Sequence, residues 1–286
     1  MLSAAGGAGA LAGSSDAEGG RYGPGAFCWV GLATSDAAEA TAFYASLFGW
    51  QSEELRAGDF GTYASLRRDG MEVAILYRQT REARAARAAP HWTVFVSVGD
   101  VEVSALRVRE LGGTVLRKPL DFLDAGRVTA VRDPAGGILS LWQPRAHAGA
   151  ELMHDLGALC WCELVTADLE RAKSFYCQLL GWEYLVDSSG YVAITDAGRR
   201  IATMREPAGG EAVPFGSWIP YFGVGRAHDT QQNAEQSGGR TLAAPADNPI
   251  GRTALLADPQ GAAFALLELT ERSSSHLEAE TDVQQE

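Results

Sequence analysis

The stretch Phe27-Cys28-Trp29-Val30-Gly31-Leu32-Ala33-Thr34, followed by Ser35-Asp36 and a run ending Phe43-Tyr44-Ala45-Ser46-Leu47-Phe48-Gly49-Trp50, has a counterpart later in the chain. The counterpart reads Leu159-Cys160-Trp161-Cys162-Glu163-Leu164-Val165-Thr166, then Ala167-Asp168, then Phe175-Tyr176-Cys177-Gln178-Leu179-Leu180-Gly181-Trp182. Trp29 and Trp161, Asp36 and Asp168, Phe43 and Phe175, and Trp50 and Trp182 all lie 132 positions apart. A repeat held in register over this length states an architecture before it states a function.

Each copy carries its own local instructions. Phe27 to Thr34 alternates as a strand, with Phe27, Trp29, Gly31 and Ala33 on one face and Cys28, Val30, Leu32 and Thr34 on the other. Asp36 caps a helix, with Glu39 placed as its capping-box partner. Ala40, Phe43, Tyr44 and Leu47 share a face of that helix, and Gly49 ends it in a left-handed turn. Three shorter strands follow, so the unit is βαβββ. A basic, Ala-rich connector over 79–89 leads to a second such unit, which closes through the turn Asp133-Pro134-Ala135-Gly136. A stretch over 145–158 without hydrophobic period reads as a linker, and two further units follow. Asp258-Pro259-Gln260-Gly261 repeats the earlier turn, and Gly126-Arg127 recurs as Gly251-Arg252. The fold class is therefore α+β, with modules over 26–144 and 159–270. The segments 1–25 and 271–286 have the composition of disordered tails, the second acidic.

Composition narrows the function classes. With 36 Asp and Glu against 24 Lys and Arg, the chain carries a net charge of -12, which excludes a basic nucleic-acid-binding face. No apolar run approaches the ~20 residues that span a bilayer, and the first residues lack an export signal's basic and apolar regions. No membrane partner and a cytoplasmic location are expected. The cysteines, Cys28, Cys160, Cys162 and Cys177, fit neither a disulfide framework nor a zinc pattern, and read as buried free thiols. Alternation places Cys160 and Cys162 on the helix side.

The strand ending in Thr, the Asp-started helix, Phe-Tyr and Leu-(Phe/Leu)-Gly-Trp, with Gly-Gly, Gly-Arg and Asp-Pro-x-Gly downstream, resemble the vicinal oxygen chelate superfamily. Its members include glyoxalases, bleomycin-resistance proteins and extradiol dioxygenases. The resemblance spans Phe27 to Gln143 and Leu159 to Leu269. It implies four βαβββ units forming two half-open mixed β-barrel modules, each around a pocket. It also implies metal-ligating positions, which fall here on Trp29 and Trp161, Ile75 and Thr203, Thr93 and Ile219, and Ser140 and Ala265. None of these side chains is a His or a carboxylate, and a one-residue slip brings in only His91 or Glu268. The chain is therefore expected to belong to a metal-free branch, with no metal and no cofactor.

Trp29 and Trp161 then stand as indole walls for a flat aromatic ligand, or as plugs of a cavity that holds no metal. Tyr77, His91, Phe95 and Trp142 share the first module's concave face by alternation, as Tyr221 does the second's. Glu163 lies on Trp161's face where the first module has Gly31, and is placed as a general acid or base. The alternative is an ion pair with Arg252. His147 and His154, in the linker, are expected to be solvated. Arg127 and Arg252 are expected to pin loops.

Three functions remain open. The first is metal-independent binding of a hydrophobic or aromatic natural product in antibiotic biosynthesis or resistance. The acidic charge suits a cationic ligand, and an enzyme of the same pathway is a candidate partner. The second is a metal-free isomerase, lyase or cyclase using Glu163. The third is a scaffold with filled pockets.

Overall fold

A computed structural model describes residues 21–57, 61–86, 88–187, 190–207, 213 and 215–269. Of the expected tails over 1–25 and 271–286, only 21–25 lies among these residues, and it packs on the fold, with Tyr22 Oη on Ala150 O at 2.6 Å and Gly25 N–H on Ser97 O at 2.8 Å. The first unit is β1 (Phe27–Thr34), α1 (Ala37–Phe48), β2 (Gln51–Arg56), β3 (Thr62–Arg68) and β4 (Met71–Arg78). A short α2 (Arg81–Ala85) forms inside the basic connector. The second unit is β5 (His91–Ser97), α3 (Val101–Glu110), β6 (Thr114–Phe122), β7 (Gly126–Arg132) and β8 (Ile138–Pro144). The third is β9 (Leu159–Val165), α4 (Leu169–Leu180), β10 (Glu183–Val186), β11 (Val192–Asp196) and β12 (Arg199–Arg205). The fourth is β13 (Ser217–Val224), α5 (Ala227–Gln236), β14 (Arg240–Asn248), β15 (Gly251–Ala257) and β16 (Ala263–Glu268).

Each pair of units makes one eight-stranded mixed sheet. The order is β2-β3-β4-β1-β5-β8-β7-β6 in the first module and β10-β11-β12-β9-β13-β16-β15-β14 in the second. The repeated stretch supplies the centre of both sheets: β1 runs parallel to β4 and antiparallel to β5, and β9 pairs β12 and β13 in the same way. The terminal strands of each sheet are not paired with each other, so each module is an open, curled sheet.

The helix signals act as written. Asp36 accepts from the N–H groups of Ala38 and Glu39, and Gly49 takes φ 70 with its N–H on Ala45. Asp168 and Gly181 repeat the arrangement around α4. The expected capping box is replaced. The Asp36 N–H donates not to Glu39 but to Gln260 Oε1, 2.8 Å away in the other module.

That contact belongs to a pseudo-twofold lock between the modules. Tyr44 Oη accepts from Trp92 Nε1 at 2.9 Å and donates to Asp258 Oδ2 at 3.2 Å. Tyr176 accepts from Trp218 Nε1 at 3.0 Å and lies against Asp133. The Tyr of each repeated stretch thus meets the Asp-Pro-x-Gly turn of the opposite module. The two convex faces share one core, in which Phe27 packs on Trp182 and Trp218, and Phe48 and Trp92 pack on Phe222. The concave faces look away from that core and carry separate apolar clusters.

Three expectations are corrected. The linker is not a solvated tether: Ala150 and Ala158 are buried, and Trp50 Nε1 donates to Gly157 O at 2.7 Å. Irregularities in β1 and β9 turn Cys28 and Cys160 into the concave clusters beside Trp29 and Trp161, while Cys162 stays in the shared core. Cys177 is exposed, because it falls on the outer face of α4.

Candidate functional site

The first module's concave face is filled by its own chain. Trp29 is 2% exposed and Trp142 1% exposed, and the Trp29 ring lies 5.4 Å from Phe95, 5.6 Å from Trp142 and 4.6 Å from His147. His147 comes from the linker, so its expected solvation is corrected. Its Nε2 is 2.9 Å from Glu72 Oε1, and Ser65 donates to the other oxygen of the same carboxylate. Glu72 reaches this face through an irregularity in the β3–β4 pairing, which passes from Leu66–Ala74 to Arg67–Glu72 and leaves Val73 out of step. The linker is fixed by Ala150 N–H on Cys28 O at 2.8 Å and by Tyr22 Oη on Ala150 O at 2.6 Å. Tyr63 and Phe122, ring centroids 5.3 Å apart, meet across the open side of the sheet. Gly31 lets the face close tightly here, since a Cβ would lie 3.1–3.3 Å from Ile75, Phe95 and Tyr77 and push them outward. His91 is exposed at the start of β5, with Nδ1 on Ala89 O at 3.0 Å, and does not join the cluster.

The second module places Glu163 where the first has Gly31. Glu163 is 7% exposed among Trp161, Ile219 and Tyr221. Register sets Thr203 and Ile219 on either side of it. Oε2 accepts from Arg205 Nε at 2.9 Å and from Tyr221 Oη at 3.0 Å. Oε1 accepts from Thr203 Oγ1 at 3.4 Å, and Thr203 Oγ1 accepts from Trp161 Nε1 at 3.2 Å. The result is a polar chain from the Trp161 indole to the Arg205 guanidinium. The Trp29 N–H has no such acceptor among the described residues. Burial, and then the charge of Glu163, push the Tyr221 hydroxyl well above its usual pKa. Tyr191 Oη is buried beside Thr203 of this network, and its pKa is raised chiefly by burial. The ion pair of Glu163 is thus with Arg205. Arg252 instead pairs Asp247 of the neighbouring β14 at 3.3 Å, and Arg127 holds Glu102 of α3 and Asp121 of β6, so both arginines join regular elements rather than pin loops.

An open cleft of about 360 Å³ lies where the second module meets the N-terminal segment and the linker. Trp161 and Phe27 supply aromatic wall, Met153 apolar surface, and Arg199, Arg200 and His154 a basic rim. Trp161 therefore borders both the cleft and the Glu163 network. The rim was not legible as a site in the sequence. Its signal lies in comparing the repeats: both β4 and β12 follow a two-residue left-handed turn, Asp69-Gly70 and Ala197-Gly198, and Met71-Glu72 of the first module is replaced by Arg199-Arg200 in the second. Burial pushes the Cys160 thiol in the cleft wall up to about 12, so it is no nucleophile.

A metal was tested against the donor set. The strand registers hold Trp29, Ile75, Thr93 and Ser140 in the first module, and Trp161, Thr203, Ile219 and Ala265 in the second, at the central strands where ligands would stand. Glu268 is engaged in capping α5 through Ala227 N–H at 2.9 Å. Among the described residues no group of three His, Cys, Asp or Glu converges. The residues present do not fit a catalytic metal, which takes about three protein ligands.

Comparison with known proteins bears on the family. The family model of the Glyoxalase/Bleomycin resistance protein/Dioxygenase superfamily matches residues 26–140 and 158–266. The chain is 36% identical over 247 residues to "Putative glyoxylase CFP32" of Mycobacterium bovis, covering 84% of this chain and 93% of that protein. It is 32% identical over 268 residues to the anthracycline biosynthesis protein DauV of Streptomyces sp. strain C5, covering 88% and 96%. The crystal structure of the 2,3-dioxygenase LapB from Pseudomonas sp. KL28 superposes with a TM-score of 0.59 at 14% identity, covering 86% of this chain and 92% of that one, a likeness of fold alone. The repeated strand and helix, the paired eight-stranded sheets and these matches together place the chain in the Glyoxalase/Bleomycin resistance protein/Dioxygenase superfamily.

Proposed function

We propose that this protein binds a flat, hydrophobic small molecule of natural-product metabolism without a metal ion, in the cleft walled by Trp161. The observation that carries this reading is the inequality of the modules. The first concave face is occupied by Trp29, Trp142 and the linker's His147, whereas Trp161, itself only 5% exposed, borders an open cleft at the module's edge. Offset stacking on such an indole contributes about 0.5–1.5 kcal/mol beyond area burial. The relatives named for anthracycline biosynthesis support the natural-product setting. No helix among the described residues is long and apolar enough to cross a membrane.

Isothermal titration with a panel of polycyclic aromatic compounds tests the proposal. At least one should bind, and Trp161→Ala should weaken it about tenfold, while Trp29→Phe should not. Equal affinity in wild type and Trp161→Ala would remove the claim, and no binding by any compound would favour a scaffold.

A second reading, metal-free acid–base chemistry on the bound compound, is favoured by the continuity of Glu163 with Trp161 through Thr203. Both carboxylate oxygens already accept hydrogen bonds, which supports a fixed anionic anchor more than a free base. Glu163→Gln should leave binding nearly intact. Full turnover of a substrate in that variant would exclude Glu163 as acid or base.

A further inference from the structure

The cleft has a charge of its own, opposite in sign to the chain's. Arg199 and Arg200 enter β12 side by side and line its rim, and neither guanidinium makes an ion pair or a hydrogen bond among the described residues. Asp196 stands opposite Arg199 in the β11–β12 ladder, yet the two charged groups are not within ion-pair distance. By contrast Arg67, Arg127, Arg205 and Arg252 all hold carboxylates. His154, the third basic group, is held by an unusual backbone. It has φ 59, and its N–H donates to Leu159 O at 2.8 Å. A non-glycine residue in the left-handed region is kept there by its surroundings. The ring has solvent on one side; the packed protein on the other, and then the positive charge of Arg199, lower its pKa.

A rim of guanidinium groups above an aromatic and apolar wall fits one kind of molecule. We propose that the junction cleft selects small molecules that carry a carboxylate or sulfonate on an aromatic body, with Arg199 and Arg200 gripping the anion and Trp161 and Phe27 packing on the rings. Guanidinium forks match the paired oxygens of such groups and hold them by charge-assisted hydrogen bonds. The inference rests on the cleft being the ligand site, and it reverses the ligand charge expected from the net charge of -12. Net charge sets the far field, whereas the groups within a few ångströms decide what binds.

The test uses two probes with one skeleton, 8-anilinonaphthalene-1-sulfonate and the neutral N-phenyl-1-naphthylamine, titrated by fluorescence against the full chain. The sulfonate should bind about tenfold more tightly than the amine. In Arg199→Gln/Arg200→Gln that preference should vanish with the amine's affinity unchanged. Raising the salt from about 0.05 to about 0.5 M should weaken only the sulfonate, and only in wild type. An unchanged preference in the double variant, or a wild type that binds both probes equally, overturns the anion-selective site and leaves the binding reading standing. If neither probe binds, or if Trp161→Phe alters neither affinity, the cleft itself fails as the ligand site and the inference falls with it. The substituted arginines are exposed, so an unchanged thermal midpoint separates these outcomes from misfolding.

Discussion

Single residues decide what packs on each concave face. Gly31 and Glu163 occupy equivalent positions, and the first lets Ile75, Phe95 and Tyr77 close in while the second draws in Arg205 and Tyr221. His147 completes the filling of the first face, stacking on Trp29 and bonding Glu72. Its removal should leave a buried carboxylate with only Ser65 as side-chain partner, at a cost of about 1–3 kcal/mol. Urea unfolding of His147→Ala should show that loss without lowering ligand affinity. A variant as stable as wild type would mean the histidine plugs nothing. Part of this was legible in the sequence. Alternation alone put Trp29, Trp161, Glu163 and Tyr221 on concave faces, because pairing is regular beyond Cys28 in β1 and beyond Cys160 in β9. Phe27, Cys28, Cys160 and His147 were misplaced, since one extra residue in each of β1 and β9 and long-range contacts of an aperiodic linker leave no local trace.

At the scale of elements, the repeated helix and the Asp-Pro-x-Gly turn form one interlocked unit drawn from opposite modules. Each turn carboxylate accepts two backbone N–H groups through Oδ1, Ala135 and Gly137 for Asp133, and Gln260 and Ala262 for Asp258. Burial nonetheless raises both carboxyl pKa values above 3.8, with the turn N–H groups pulling back. A carboxyl whose pKa is higher folded than unfolded takes up protons on folding. Its contribution is fully present below the unfolded value and is lost as pH rises through the folded one. Asp258→Asn, which keeps the Oδ1 acceptor, should therefore gain stability relative to wild type as pH rises from about 4 to about 7. Urea unfolding across that range measures the difference, and a flat difference would contradict the assignment. Element boundaries were legible where caps and alternation agree, as at α1 and α4. β14 runs nine residues, Arg240–Asn248, through a sequence with no alternation and a proline, because pairing to β15 overrides local preference at the expense of two register shifts.

Over the whole molecule, two modules share one core. Phe27, Phe48, Trp92, Phe222 and Trp218 make contacts that neither sheet keeps alone, and Tyr44–Asp258 and Gln260–Asp36 tie the modules' helices and turns together. Unfolding should accordingly be a single transition, with calorimetric and van't Hoff enthalpies equal. Two resolved transitions would show that the convex faces are independent. Domain number and fold family were legible from the repeat. The back-to-back pairing was not, since nothing in a strand's alternation says which sheet its outer face meets.

On the proposed reading the two modules have diverged, the first filled by the linker and the second taking a ligand in the cleft that Trp161 borders. A crystal structure of the protein with a bound aromatic sulfonate should show ring density against Trp161 and Phe27, with the sulfonate at Arg199 and Arg200 and His147 still stacked on Trp29. Density within the first module's concave face, with His147 displaced from Glu72, would contradict that reading.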